Sequence, residues 1–470
     1  MAVAVPARGS WADVVGEGRL PRFALICFGV WLNAADSLVT ATIMPSVGRS
    51  LGGYAYFGWA TAGYMLGSVL AGASSGVLAL RFGLRAATSA AALLYAAGCV
   101  LSAVAPDIFS FLAGRVLQGI GGGWVVGLCS AAIGLLFANR LLPRVYSAIS
   151  SVWGIAVLLG PLLGGLFADA GSWRAVFWAF AVQGVMVALA ALAMLPGAGT
   201  ASGAAAVAWR QLGLVALGVA LIAAADLVGN AGAMAVLIAL GIAAFLLAMR
   251  VDAPAAVRLL PRGSSDLRTA HGAGYATLFL LNAASMGLPV YGPAILQTLH
   301  GLSALMAGYV VSAEALFWTL VSLPVAGLRG PWPGRLIRLG VVAILGGLAL
   351  CALVFNADSP LIVIVAACGV IGSGFGLCWA FMSQRILGGL EGDERGLGGG
   401  GIATVRLTGA AAGSAMAAAV ANLGGFAEGF SPEAATSAGV WVFATGIPIA
   451  GLACIIAWRL GSPRMGQAAD

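Results

Sequence analysis

The 470-residue sequence has no lysine, only two histidines and very little charge of either sign. Asp, Glu, Lys and Arg together make up 8% of the residues, where a soluble domain typically carries about a quarter. A surface of this size cannot be kept in water with so few ions. The missing lysine excludes a GxxxxGK[ST] phosphate loop, and neither an HExxH pair nor a convincing Ser/His/Asp set is present. Seven cysteines occur, at 27, 99, 129, 351, 368, 378 and 454, all inside apolar runs with no CxxC spacing or Cys/His cluster. They read as small reduced hydrophobes, so neither a metal nor a disulfide frame is expected. No cofactor is expected either. Residues 1–21 hold Arg8, Asp13, Glu17 and Arg19 without an apolar core, unlike a cleavable secretory signal.

What is abundant points to lipid. Hydrophobic residues reach 61%, mean hydropathy is +1.02, and there are 70 glycines. In a bilayer, small residues let helix backbones approach closely, which matters because lipid supplies no hydrophobic drive between helices. The excess of 23 basic over 16 acidic residues is dispersed as single arginines between apolar runs. This is loop charge that sets topology and not a clustered nucleic-acid surface.

A spanning helix needs about 20 apolar residues. Fourteen stretches satisfy that requirement, near 22–44, 57–80, 86–104, 109–137, 147–168, 174–195, 210–229, 232–250, 272–294, 303–328, 336–355, 360–388, 399–421 and 437–459. With this count Arg81, Arg85, Arg140, Arg144, Arg210, Arg258, Arg262, Arg268, Arg329, Arg335, Arg338, Arg395 and Arg464 fall on one side. Asp107, Asp169, Asp358, Glu428 and Glu433 fall on the other, with Arg49 and Arg174. Arginine enrichment on the inner side puts both termini in the cytoplasm. The grouping predicts an all-α polytopic fold: residues 1–195 as an N-terminal six-helix bundle, 196–270 as an inserted helix pair with linkers, and 271–470 as a C-terminal six-helix bundle. Twin bundles around a midplane site are a transporter plan.

Asp36, Arg115, Asp226, Glu314 and Arg406 fall inside predicted spans. Each costs about 2.5–3.5 kcal/mol if left facing lipid, so each must face protein or a wet cavity. Asp36 and Glu314 sit near mid-depth and are candidates for proton exchange and for contact with a cationic substrate. Arg115 cannot lose its proton and is a candidate to tune a nearby acid. Arg406 is a candidate substrate contact that could instead snorkel towards the interface. Asp226, in the inserted pair, is expected to lie away from a cavity between the halves. Trp31, Tyr64 and Trp318 are candidates to line a substrate path through cation–π contact, although interface anchoring or plain packing also accounts for such aromatics. His271 and His300 fall at helix ends, which disfavours a proton relay through them.

Several segments resemble the major facilitator superfamily, specifically its fourteen-helix drug:proton antiporter branch. GIAVLLGPLLGG, with Gly154, Gly160, Pro161, Gly164 and Gly165, is similar to the antiporter signature of the fifth helix. Its proline bends a helix and its glycines admit a facing one. RVLQGIGGG, from Arg115, resembles the fourth-helix motif whose arginine is tied to proton coupling. DSLVTATIMP, from Asp36, SWRAVFW, from Ser172, YGPAILQTLHGLSALMAG, from Tyr291, and VRLTGAAAGSA, from Val405, add further matches. The loop GVLALRFGLR, with Gly76, Arg81, Gly83 and Arg85, resembles the gating loop after the second helix, but Leu80 replaces the family's acid.

The resemblance implies an alternating-access antiporter in the inner membrane, monomeric, exchanging protons for small amphipathic or cationic molecules. Its partners would be substrate, protons and lipid. An exporter or importer of an anionic metabolite using Arg115 and Arg406 is an alternative. A non-transporting membrane sensor or assembly partner is another.

Overall fold

The computed structural model describes residues 11–16, 18–137, 141–197, 206–228 and 230–460. Arg8, Glu17, Arg140, Arg464 and residues 198–205 of the expected linker lie outside the described residues. The described chain is helical throughout, in the order α1 (Trp11–Val15), α2 (Leu20–Leu51), α3 (Phe57–Val104), α4 (Ile108–Leu136), α5 (Leu142–Asp169), α6 (Trp173–Met194), α7 (Trp209–Ala224) and α8 (Ala231–Asp252). It continues as α9 (Ala270–Ser285), α10 (Gly287–His300), α11 (Ala304–Val325), α12 (Trp332–Val354), α13 (Leu361–Leu387), α14 (Gly392–Leu423), α15 (Pro432–Ala444) and α16 (Gly446–Leu460).

By length and composition, 12 of the described helical stretches are able to cross a membrane, with α9–α10 and α15–α16 each running on as one. Large apolar side chains stand on the outside, Leu135 and Ile362 at 73% exposure among them. That arrangement is stable only where the surrounding solvent is hydrocarbon.

Two features separate these twelve from the fourteen runs read in the sequence. The stretch Tyr54–Val104 counts once, yet it contains Gly83 at φ 76° and ψ 156°. A side chain at that φ would be strained, so glycine turns the chain there and two predicted spans meet without a loop. Helix α14 falls below the apolar threshold because its 32 residues are mostly Gly and Ala and include Arg395 and Arg406. It needs few large apolar groups because α3, α7 and α9 pack around it.

Polar residues cap the start of several helices. Asp107 accepts from Ser110 N at 2.9 Å, and Thr269, Ser303 and Ser431 cap α9, α11 and α15 in the same way. Each satisfies an amide that has no partner within its own helix. Helices α2 to α6 pack on one another, as do α9 to α16, while α7 and α8 pair and α7 rests on α14 and α3. The helix ends carrying Asp107, Asp169, Asp358 and Glu428 form the acid-bearing end. The opposite ends, with Arg81, Arg258, Arg329 and Arg395, form the arginine-bearing end.

Candidate functional site

The centre of the site is a buried ion pair inside the N-terminal helices. Arg115 on α4 donates through Nη1 to Asp36 Oδ1 on α2 at 2.8 Å, and both side chains are 1% exposed. The same nitrogen reaches Gln118 Oε1 at 2.9 Å. Gln118 in turn donates to Cys99 Sγ at 3.0 Å and accepts from Ser102 at 3.2 Å. Thr40 hydroxyl donates to the Asp36 backbone carbonyl at 2.8 Å, one turn back on α2. The Tyr64 ring lies 4.5 Å from the Arg115 guanidinium carbon, and its hydroxyl accepts from Asn33 at 2.8 Å. Asp36 Oδ2 and Arg115 Nε have no hydrogen-bond partner among the described residues. The network is therefore closed around one carboxylate oxygen and open at the other.

Glycine makes this possible. A Cβ on Gly119 would sit 2.1 Å from the Tyr64 carbonyl oxygen. Only its absence lets α4 lie against α3 closely enough for the Tyr64 ring to cover Arg115.

Trp31 is turned to a neighbour within its half, donating to Gln183 Oε1 on α6 at 3.0 Å. Glu314 lies on α11, partly exposed, and no hydrogen bond or ion pair to its carboxylate is found among the described residues. Its backbone is pressed against Gly372 of α13. One turn further on, Trp318 stacks on Phe375 with centroids 4.9 Å apart and 12° between the planes. Helices α2 and α11 meet where Gly308 touches Thr42. Asp36 and Glu314 each stand six residues from that crossing, about 9 Å along their helices, both towards the arginine-bearing end. The structure sets them at matching depths without joining them. Arg406, on α14, has its guanidinium carbon 5.7 Å from the Trp153 ring of α5; among the described residues it has no ion pair.

The glycine–proline segment of α5 forms the seam between the halves at the acid-bearing end. Gly160 and Gly164 face Leu38 and Val39 of α2, whereas Gly165 would place a Cβ 2.4 Å from Leu305 Cα of α11. Pro161 touches Gly308. Gly154 has open space around it. Next to the seam, the Asp169 carboxylate accepts from Ala304 N at 2.9 Å, closing the first turn of α11. Gln297 reaches the Thr42 carbonyl at 3.5 Å, and Asn422 reaches the Ala55 carbonyl at 2.7 Å. These ties between the halves lie at the acid-bearing end.

At the other end, Gly76 is open and exposed, and Gly83 makes the turn. Arg85 Nε donates to the Leu195 carbonyl at 2.8 Å, fastening the end of α6. Arg81 lies near the Phe82 ring, and Leu80 is 36% exposed. His271 and His300 bond to backbone carbonyls of Arg262 and Asn356, well away from the ion pair.

The reading of the sequence missed Asn33, Cys99, Ser102 and Gln183 as members of these networks. Asn33 stands three residues before Asp36, on the same helical face, and that spacing was the available signal. Asp226 was expected to lie away from a cavity between the halves; its tie to the seam was not foreseen. Its carboxylate accepts from the Asn422 side-chain amide, the same group that reaches Ala55, so the inserted pair is tied into the seam.

A model of the Major Facilitator Superfamily matches residues 26–414. A probable multidrug-efflux transporter of Mycobacterium tuberculosis is 30% identical over 436 residues, covering 88% of this chain and 90% of that protein. A multidrug transporter of Bacillus subtilis is 28% identical over 166 residues, covering 34% and 31%. Among solved structures, a D-xylose–proton symporter aligns with a TM-score of 0.64 at 17% identity, covering 93% of this chain and 97% of its own. A peptide transporter aligns at 0.68 and 14% identity, covering 96% of both. Those two likenesses establish the fold. The length of the family match and the full-length mycobacterial relative carry the assignment further, and the chain belongs to the major facilitator superfamily of membrane transporters.

Proposed function

We propose that this transporter is a proton-coupled exporter of small amphipathic or cationic molecules, with the Asp36–Arg115 pair as its proton switch. The observation that carries this reading is the sealed pair with Asp36 Oδ2 unpartnered among the described residues. A proton arriving at that oxygen removes the charge opposing Arg115 and releases the guanidinium towards Gln118 and Tyr64. This gives α2 and α4 two arrangements. A ligand shifts such an equilibrium only through different affinities for the two states. Proton and substrate are then coupled if the substrate favours the arrangement with Asp36 ionised. Glu314, at matching depth on α11, is the second carboxylate facing the substrate path, with Trp318 beside it.

The chain crosses the membrane fourteen times in this reading. Gly83 divides the stretch after α2 into two crossings, and α14 counts as one despite its low hydropathy. Residues 1–195 and 271–470 act as the two rocking halves, residues 196–270 carry the inserted pair, and the fourteen-helix antiporter branch is the assignment within the family. The arginine-bearing end faces the cytoplasm of a plasma membrane. The ties at the acid-bearing end make this the conformation closed to the outside, and the protein works as a monomer.

The mycobacterial efflux relative supports the export direction, as does the glycine–proline segment at the seam. The deciding experiment uses purified protein in vesicles with an imposed pH gradient and a fluorescent cationic dye. Wild type should move dye in response to the gradient and Asp36→Asn should not; gradient-independent transport by both would defeat the proposal.

One observation favours a second reading. Arg406 has the Trp153 ring nearby but no ion pair among the described residues, so it is a cation available to an anionic metabolite. Competition by organic anions, lost in Arg406→Gln, would support that reading, and a preference for cations would remove it.

A further inference from the structure

A crevice of about 640 Å³ lies between α7 and α8 of the inserted pair and the C-terminal helices α9, α14 and α16. Its lining is almost entirely aliphatic and aromatic. Most polar groups bordering it are engaged with the backbone. Asp252 accepts from Leu259 N at 2.7 Å and Leu260 N at 3.1 Å, Ser265 donates to Met249 O, and Tyr275 donates to Gly398 O. Nothing there rewards water, and an apolar cavity of this kind stays dry or takes an apolar guest.

Its length and its rim specify the guest. Along α8 the lining runs from Ile238 to Asp252, about 21 Å by helical rise, which exceeds the roughly 15 Å of one leaflet's hydrocarbon. Ile242, Leu246 and Leu452 line it and are about half exposed, so it opens sideways onto the bilayer. At the arginine-bearing rim, Arg250 follows the lining residue Met249, Arg268 follows Leu267, and Arg459 stands one turn beyond Ile456. The Ser265–Met249 hydrogen bond holds the first two neighbourhoods together at 3.2 Å. All three arginines are exposed and have no ion pair among the described residues. The nearby Asp266 carboxylate accepts from the backbone amide of Arg268 at 2.8 Å.

We propose that this crevice binds one phospholipid with an anionic headgroup, an acyl chain lying along α8 and the phosphate held by Arg250, Arg268 and Arg459. Three arginines at the level of the headgroups favour an anionic over a zwitterionic lipid. The crevice floor is formed by helices of both the inserted pair and the C-terminal half, so the lipid fills a gap that protein leaves open. The inference is independent of the substrate and of proton coupling.

Native mass spectrometry of the full chain in detergent, titrated with phosphatidylglycerol or phosphatidylcholine of identical chains, tests it. Wild type should retain phosphatidylglycerol about tenfold more tightly. The triple variant Arg250→Gln, Arg268→Gln, Arg459→Gln should lose that preference, while Arg329→Gln with Arg395→Gln should keep it. Ala276→Phe, which fills the crevice, should weaken retention of both lipids. Because the three arginines are exposed, their replacement does not endanger the fold, and the triple variant decides the matter if Ala276→Phe misfolds. Equal retention of the two lipids by wild type, or a preference untouched by the triple variant, overturns the proposal. Displacement of the lipid by the cationic dye would assign the crevice to substrate and overturn it as well.

Discussion

Arg115 and Asp36 stand 2.8 Å apart with 1% of either side chain exposed, in a part of the protein where neither has water to fall back on. Removing one partner leaves the other charge uncompensated, which for a buried pair typically costs about 3–5 kcal/mol, whereas replacing both with apolar groups is often close to neutral. Asp36→Asn and Arg115→Met are each expected to lower the melting temperature of the purified protein sharply. Asp36→Leu combined with Arg115→Met should recover most of that loss yet remain unable to couple dye movement to a pH gradient. Recovery of transport along with stability would show that the pair is only structural.

The two ends of the glycine–proline segment should respond oppositely to an added methyl group. Gly165→Ala places a Cβ against Leu305 Cα, backbone that cannot yield without parting α5 from α11. Labels on those helices at the acid-bearing end should move apart in spin–spin distance measurements, and dye transport should fall by about tenfold or more, equivalent to the loss of about 1.4 kcal/mol. Gly154→Ala meets open space and should leave transport unchanged, with up to about 1 kcal/mol gained from helix propensity.

Asn422 serves two masters, the Ala55 carbonyl and the Asp226 carboxylate. Asn422→Ala strands both acceptors in a site where Asp226 Oδ2 already has no partner among the described residues, and a buried unsatisfied group costs about 1–3 kcal/mol. A matching drop in thermal stability is expected, together with faster proteolysis of the 252–269 linker as the inserted pair loosens. Asp226→Asn, which keeps the shape and removes the charge, should be milder. Equal effects of the two substitutions would mean that the charge of Asp226, and not its shape, carries the tie.

Outside the membrane, Arg258 donates to Glu394 Oε1, and Arg262 N donates to its other oxygen at 3.1 Å. Arg258 holds the Glu394 carboxyl below its ordinary value. A depressed carboxyl contributes stability that is present above the unfolded value, about 4.3, and is lost as pH falls through the lower folded value. The pair is partly solvated, so the contribution is about 1 kcal/mol or less. Melting curves below about pH 5 should show a shallower acid slope for Glu394→Gln than for wild type, with no difference near neutral pH.

The membrane fold was legible from apolar length and scarce charge, because hydrocarbon imposes the same demand on every crossing helix. The buried ions were legible by their cost. Asp36 and Arg115 stood out as groups that had to find partners, although nothing in one sequence fixed the rotation that joins them to each other and leaves Glu314 apart. Gly83 could be read as a tight turn, but not as a break that leaves no loop at all. Helix α14 shows the limit of hydropathy: shielded by α3, α7 and α9, it can be built largely from Gly and Ala and still sit inside a membrane protein. The contact of Asp226 with Asn422, nearly two hundred residues away, was not legible because no local pattern links them.

That last contact has a consequence for motion. If the C-terminal helices swing away from the N-terminal ones, a single amide must let go of Ala55 and either pull Asp226 after it or release that too. The intercalated hairpin formed by α7 and α8 therefore cannot ride as idle ballast. It is either towed with α14 or stretched until it lets go, and the energy of that choice becomes part of the barrier to parting the helices at the acid-bearing end.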